Sequence, residues 1–153
     1  DVAFDSWKEN VDMQMSSSFY MCQKVLEYMK IQKSGSIINI TSIYGVVAAD
    51  FTVYEGTGGT SPAAYSAIKG GLINFTRYLA SYFGKYNIRV NCVSPGGIFR
   101  DQPKKFVKAY IKKTSIKRMA KEDDLMGVFA FLASDASAYV TGQNIIVDGG
   151  WGN

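Results

Sequence analysis

Tyr65 and Lys69 are residue types, at a spacing, from which proton-transfer chemistry can be built. Four apart on a helix, one side chain lies over the other. A free tyrosine, with a pKa of about 10, is a poor acid or base at neutral pH. An ammonium one turn away favours the phenolate and lowers that value, so the phenol can give or take a proton at an alcohol or carbonyl oxygen. Such a pair also arises as ordinary helix packing, and its meaning depends on its surroundings. Ser42 closes the run Ile40-Thr41-Ser42, where its hydroxyl can hydrogen-bond the same oxygen. Pro95-Gly96-Gly97-Ile98 follows another apolar run, and its glycines let backbone N–H groups come close to a ligand. The chain has no histidine, and its two cysteines, Cys22 and Cys92, sit in apolar stretches without a metal-like spacing. A Ser-His-Asp triad, a Cys-His pair, a histidine base and the usual zinc site are therefore excluded.

These residues need elements to hold them. Apolar residues from Trp7 through Val11, Met15, Phe19, Cys22, Val25, Leu26 and Met29 predict a helix over about 5–30, stopped at Ser34-Gly35. Ser36–Thr41 reads as a short buried strand, and residues 43–61 as a long glycine-containing loop. Ser61-Pro62 predicts an N-cap and first turn, followed by a helix with Tyr65, Ile68, Leu72, Phe75, Leu79 and Phe83 on one face and Gly84 as its stop. Ile88–Val93 is a second strand leading into the Pro-Gly turn. Helices near 102–113 and 121–134 precede a last strand, Asn144–Asp148. Strands alternating with helices imply a parallel sheet covered on both faces, so that the Ser42 and Pro95 ends lie where α/β sheets place ligands. Three strands amount to half of a doubly wound sheet, and the chain reads as one partial α/β domain over 1–153.

With 153 residues, 47% hydrophobic and 20% charged, the chain can bury a core, which excludes disordered and low-complexity classes. Trp7, the methionines and the remaining aromatics are assigned to that core. No run approaches the roughly 18 apolar residues of a membrane span. Asp1-Val2-Ala3-Phe4-Asp5 is neither a signal peptide nor an initiator methionine, and reads as a chain entered partway. The net charge is +4, and the stretch from Lys104 to Lys121 gathers eight of the 17 Lys and Arg without one acid. A basic helix of that kind can neutralise phosphates. It lacks stacking aromatics on a sheet or a nucleic-acid-binding motif, so a nucleic-acid partner is not preferred.

The chain resembles the short-chain dehydrogenase/reductase family over nearly its whole length. The resemblance rests on Asn39–Ser42, on Ala64-Tyr65-Ser66-Ala67-Ile68-Lys69-Gly70-Gly71, and on Ile88–Ile98. It continues through Phe131–Asp135 and Tyr139–Gln143 to Val147-Asp148-Gly149-Gly150. The resemblance implies a Rossmann-type doubly wound sheet and hydride transfer between NAD or NADP and a carbonyl or alcohol. It makes Tyr65 the general acid/base and Ser42 the polariser of the substrate oxygen. Lys69 would hold the nicotinamide ribose and tune Tyr65, while Pro95, Gly96 and Ile98 would pack along the nicotinamide. The basic 104–121 segment would be a solvated substrate lid, with attraction of an anionic substrate as a further reading. It further implies a cytoplasmic homodimer or homotetramer acting on a small molecule, with neither nucleic acid nor membrane as partner. A softer similarity points to reductases of bacterial surface-glycan or flagellin modification and to 3-oxoacyl-carrier-protein reductases.

Departures from the family pattern accompany these matches. The family's first βαβ unit, with its glycine-rich pyrophosphate turn, is missing, and Gly56-Thr57-Gly58-Gly59 lacks the strand–turn–helix setting to replace it. The family's catalytic asparagine position falls on Gln14, and a threonine usual after the Pro-Gly turn is Arg100. The loop before Tyr65 is long for the family, with Tyr44, Phe51, Tyr54 and Glu55 as candidates for the substrate mouth. The alternative reading is a truncated, non-catalytic structural or binding chain of the same fold.

Overall fold

A computed structural model describes residues 3–152. A long N-terminal helix comprises α1 (Phe4–Asn10), a π-helical turn (Val11–Ser16) and α2 (Ser17–Gln32). Then come β1 (Gly35–Ile40), 3₁₀ turns at Ile43–Gly45 and Phe51–Tyr54, α3 (Ala63–Phe83), and β2 (Ile88–Pro95). α4 (Lys104–Lys113), α5 (Asp123–Ala133) and β3 (Asn144–Val147) complete the order.

The strands pair in parallel in the order β1-β2-β3, with Ile37 opposite Val90 and Val93 opposite Ile145. Alternation along each strand sorts the two faces. Ile37, Ile88 and Val90 join Cys22 and Leu26 of α2 and Leu79 and Ala80 of α3 in one buried cluster. On the other face, Ser36 Oγ and Arg89 donate to the Leu132 carbonyl at the end of α5, and Arg89 also reaches Ser137 Oγ and the Ser134 carbonyl. Helices thus cover both faces. β2 is the enclosed centre, with Ile88, Val90, Cys92 and Val93 at most 1% exposed. β1 has a partner on one side only, which leaves Ile40 58% exposed where a fully buried strand was expected.

Several local expectations are corrected. Lys33, in the left-handed region at φ 54°, ends the first helix, and β1 already begins at Gly35. Pro62 is the N-cap of α3, and no side chain caps it, so Ser61 is free for the cavity described below. Gly84 is the C-cap of α3, as expected, but it stays right-handed and passes into a 3₁₀ turn, and Asn87 at φ 58° makes the reversal. Nor are the remaining aromatics and methionines all core. Phe4, Met13, Phe19, Tyr20, Met21, Tyr28, Tyr78, Tyr82, Met126 and Tyr139 are largely exposed. Phe19, expected on the buried stripe, lies against Phe75 with ring centroids 5.9 Å apart and its outer face open. Helical period places such residues on a stripe but does not decide whether this chain itself covers it.

Candidate active site

The C-terminal ends of β1 and β2 and the start of β3 are tied together by buried polar groups. Thr41 N–H donates to the Val93 carbonyl, Thr41 Oγ1 and Ser94 Oγ lie 2.6 Å apart, and Ser94 Oγ donates to Asn144 Oδ1 at 2.7 Å. The ends of β1 and β2 are therefore held in a fixed relation to each other and to the start of β3. Asn91 ties β2 to the loop before β3, donating to the Val140 carbonyl and accepting from Gln143 N–H.

Ser42, the second residue after β1, is extended and caps the turn Ile43–Gly45, its Oγ accepting the Tyr44 N–H at 3.2 Å. A serine hydroxyl has one proton and two acceptor sites. The cap uses one acceptor site, and no acceptor among the described residues takes the proton. That turn lies directly on α3: a Cβ at Gly45 would stand 2.6 Å from the Lys69 carbonyl carbon and 2.8 Å from Gly70 N. The lack of a side chain at residue 45 is what lets the Ser42 turn rest against the turn of α3 that bears Tyr65 and Lys69.

Tyr65 and Lys69 face the same space, the Lys69 Nζ being 5.5 Å from the Tyr65 ring centroid. Nζ also donates to the Ile40 carbonyl at 3.4 Å, which anchors it to the end of β1. Burial pushes the Lys69 ammonium below the ordinary lysine pKa. Ser42, Tyr65 and Lys69 line one cavity of about 480 Å³ together with Pro95, Gly96 and Ile98. Tyr44 and Tyr54 also line it, their hydroxyls 3.4 Å apart. Burial and the Tyr54 hydroxyl raise the Tyr44 pKa, so that phenol stays protonated. Lys69 is the only charged side chain in the lining.

Some expected residues are placed elsewhere. Gln14 lies in the π turn, its amide donating to Asn10 Oδ1 at 3.2 Å, and it does not line the cavity. A proton relay through it would require that amide to leave Asn10. Phe51 and Glu55 are exposed outside the lining. Arg100 is exposed and paired with Glu122. The glycine N–H groups are not open to a ligand, since Gly96 N–H donates to the Val147 carbonyl and Gly97 N–H to Tyr110 Oη. The lining adds Thr60, Ser61, Phe106 and Tyr110, which the sequence did not single out for this role. Phe106 and Tyr110, four apart on the apolar side of a basic helix, were the available signal.

The cavity can take a planar group against an apolar wall and put hydroxyl protons and an ammonium at its edge. These features fit the nicotinamide-ribose end of a dinucleotide. No described strand runs through an open glycine turn directly into a helix, so the pyrophosphate end finds no such cradle here. Among the described residues there is no cluster of potential metal ligands and no helix long and apolar enough to cross a membrane.

Comparison with known proteins agrees with this arrangement. A family model described as "Enoyl-(Acyl carrier protein) reductase" matches residues 1–152. The chain is 36% identical over 152 residues to the post-translational flagellin modification protein A of Campylobacter coli, covering 99% of this chain and 59% of that protein. It is 35% identical over 150 residues to a 3-oxoacyl-[acyl-carrier-protein] reductase of Chlamydia pneumoniae, covering 95% of this chain and 56% of the relative. The crystal structure of a short-chain dehydrogenase from Leptospira borgpetersenii with bound NAD⁺ superposes with a TM-score of 0.92 at 42% identity, covering 99% of this chain and 58% of that one. The chain thus spans somewhat over half the length of the proteins it matches. With its parallel sheet, helices on both faces and Tyr-Lys helix beside the serine turn, the chain belongs to the short-chain dehydrogenase/reductase family.

Proposed function

We propose that this chain is the catalytic and substrate-lid part of a longer, cytoplasmic NAD(P)-dependent oxidoreductase that interconverts a carbonyl and an alcohol on a small molecule. The observation that carries the reading is the convergence of Ser42, Tyr65 and Lys69 on one cavity walled by Pro95, Gly96 and Ile98. NAD or NADP, when bound, supplies or accepts the hydride at the substrate carbon. The chain's own residues handle the oxygen. The Ser42 proton, which no acceptor among the described residues takes, holds the carbonyl oxygen and favours its developing charge. The Tyr65 hydroxyl delivers the proton that completes the alcohol and recovers it in the reverse direction. Lys69, fixed on the Ile40 carbonyl beside the Tyr65 ring, favours the phenolate when the proton has left and offers its ammonium to the ribose hydroxyls. Residues choosing between NAD and NADP lie outside this arrangement.

The hydroxyls of Tyr44, Tyr54, Thr60 and Ser61, with no carboxylate in the lining, support a polar substrate, and the lysines of α4 support an anionic one. The similarity to a flagellin modification protein favours a surface-glycan precursor over an acyl chain. Exposed aromatics on α2 and α3 support a homodimer or homotetramer. The test is to assay the complete protein that carries this chain for carbonyl-dependent oxidation of NADH and NADPH, using keto sugars and 3-oxoacyl thioesters. Turnover on either class supports an oxidoreductase. Cofactor oxidation with neither class, in a folded protein, would favour the non-catalytic alternative.

A further inference from the structure

Tyr110 is 2% exposed and joins the lid helix α4 to two other parts of the molecule. Its Oη accepts a hydrogen bond from Gly97 N–H in the wall of the cavity. Its ring stacks on Trp151, with centroids 4.1 Å apart and planes inclined by 21°. Trp151 is itself fixed, because the Asp148 carboxylate accepts from both Gly150 N–H and Gly152 N–H at 2.8 Å. A Cβ at Gly97 would stand 2.8 Å from Tyr110 Cζ and 3.0 Å from Cε2, so ring and wall touch because residue 97 is glycine. On its other side the wall is held by backbone pairing with Ala120, through Ala120 N–H to the Gly97 carbonyl and Phe99 N–H to the Ala120 carbonyl.

A phenylalanine could make the same stack. The hydroxyl adds one thing, a partner for the Gly97 N–H, and a buried donor left alone is costly. Among the described residues this is the only hydrogen bond between an α4 side chain and the Pro95–Ile98 wall. Resting on the oxidoreductase reading, we propose that Tyr110 is a positioning residue. Its hydroxyl, through Gly97 N–H, sets the distance of the Pro95–Ile98 wall from Tyr65 and couples that setting to closure of α4 over the substrate.

The test is Tyr110→Phe in the complete protein, a change that keeps the ring and the stack. Turnover at saturating substrate should fall roughly tenfold, the scale of one buried hydrogen bond, with substrate KM little changed. The primary isotope effect from cofactor deuterated at the transferred position should rise as the hydride step becomes more limiting. A readout independent of turnover is limited trypsin digestion without cofactor. Cleavage between Lys104 and Lys121 should accelerate, with other sites and the thermal midpoint near wild type. Wild-type turnover and isotope effect in the variant would overturn the proposal. So would a loss of turnover matched by loosening at every trypsin site, which is a merely structural role. A wild-type protein that oxidises neither cofactor overturns the oxidoreductase reading and the positioning role with it. An unchanged trypsin pattern overturns the positioning role alone.

Discussion

On the proposed reading Ser42 holds a structural duty and a chemical one on a single oxygen: it accepts the Tyr44 N–H and would give its proton to the substrate. Ser42→Ala should lower turnover by roughly 10²–10³, the scale for losing one donor to a developing oxyanion. Steady-state kinetics check this, and a loss confined to stability would contradict it. The same proposal gives Lys69 two duties, so Lys69→Ala should weaken cofactor binding and turnover together. Fluorescence titration of bound NADH beside kinetics separates the two effects. The residue types, and the spacing of Tyr65 to Lys69, were legible in the sequence because a helix fixes which side chains are neighbours. The Thr41–Ser94–Asn144 contacts were not legible. They join residues up to 53 apart in sequence, and register between strands sets them, not local spacing.

At the scale of elements, the tightest fit of a described glycine against backbone is Gly45 on α3. Gly45→Ala would press a methyl group onto the Lys69 and Gly70 backbone, which cannot yield as a side chain tip can. The expected cost is roughly 1–3 kcal/mol of stability by denaturant unfolding, with reduced turnover because Ser42 and Lys69 move apart. Unchanged stability and kinetics would contradict the packing. α4, the proposed lid, has a second tie, from Lys113 to Asp50 in the loop before α3. Lys113, then the Thr52 hydroxyl, hold the Asp50 pKa down at about 2. A depressed carboxylate contributes stability above its unfolded pKa of about 3.9, and that contribution is lost as pH falls through the folded value. The tie therefore releases between about pH 4 and about pH 2. Lys113→Met should bring the Asp50 titration back toward the ordinary range, measured by carboxyl NMR, and an unmoved titration would contradict the pairing. Element types and order were readable from period and punctuation. Their ends were less so, since Ser61 carries the right chemistry for an N-cap while Pro62 occupies that place, and Gly84, the expected C-cap of α3, leaves the left-handed reversal to Asn87. Tyr110 went unnoticed because its meaning depends on Gly97 and Trp151, which only the folded chain brings to it.

For the whole molecule, the three-stranded sheet presents an unpaired β1 edge and an exposed aromatic face on α2 and α3. Both are surfaces that associate in water. The 153-residue chain alone should therefore self-associate in sedimentation experiments, and a well-behaved monomer would contradict this. With no pyrophosphate cradle among the described residues, it should also fail to bind NADH or NADPH tightly by calorimetry. Micromolar binding would show that the residues present suffice. The central claim is that Tyr65 supplies the proton to the reacting oxygen, and it is tested most directly by Tyr65→Phe in the complete protein. The phenol proton matters as the oxygen gains charge, so its loss acts on the transition state and not on ground-state binding. Turnover should fall by roughly 10²–10⁴, the range for a positioned acid or base, while the cofactor dissociation constant stays near wild type. Turnover by Tyr65→Phe equal to that of the unmodified protein would contradict the account.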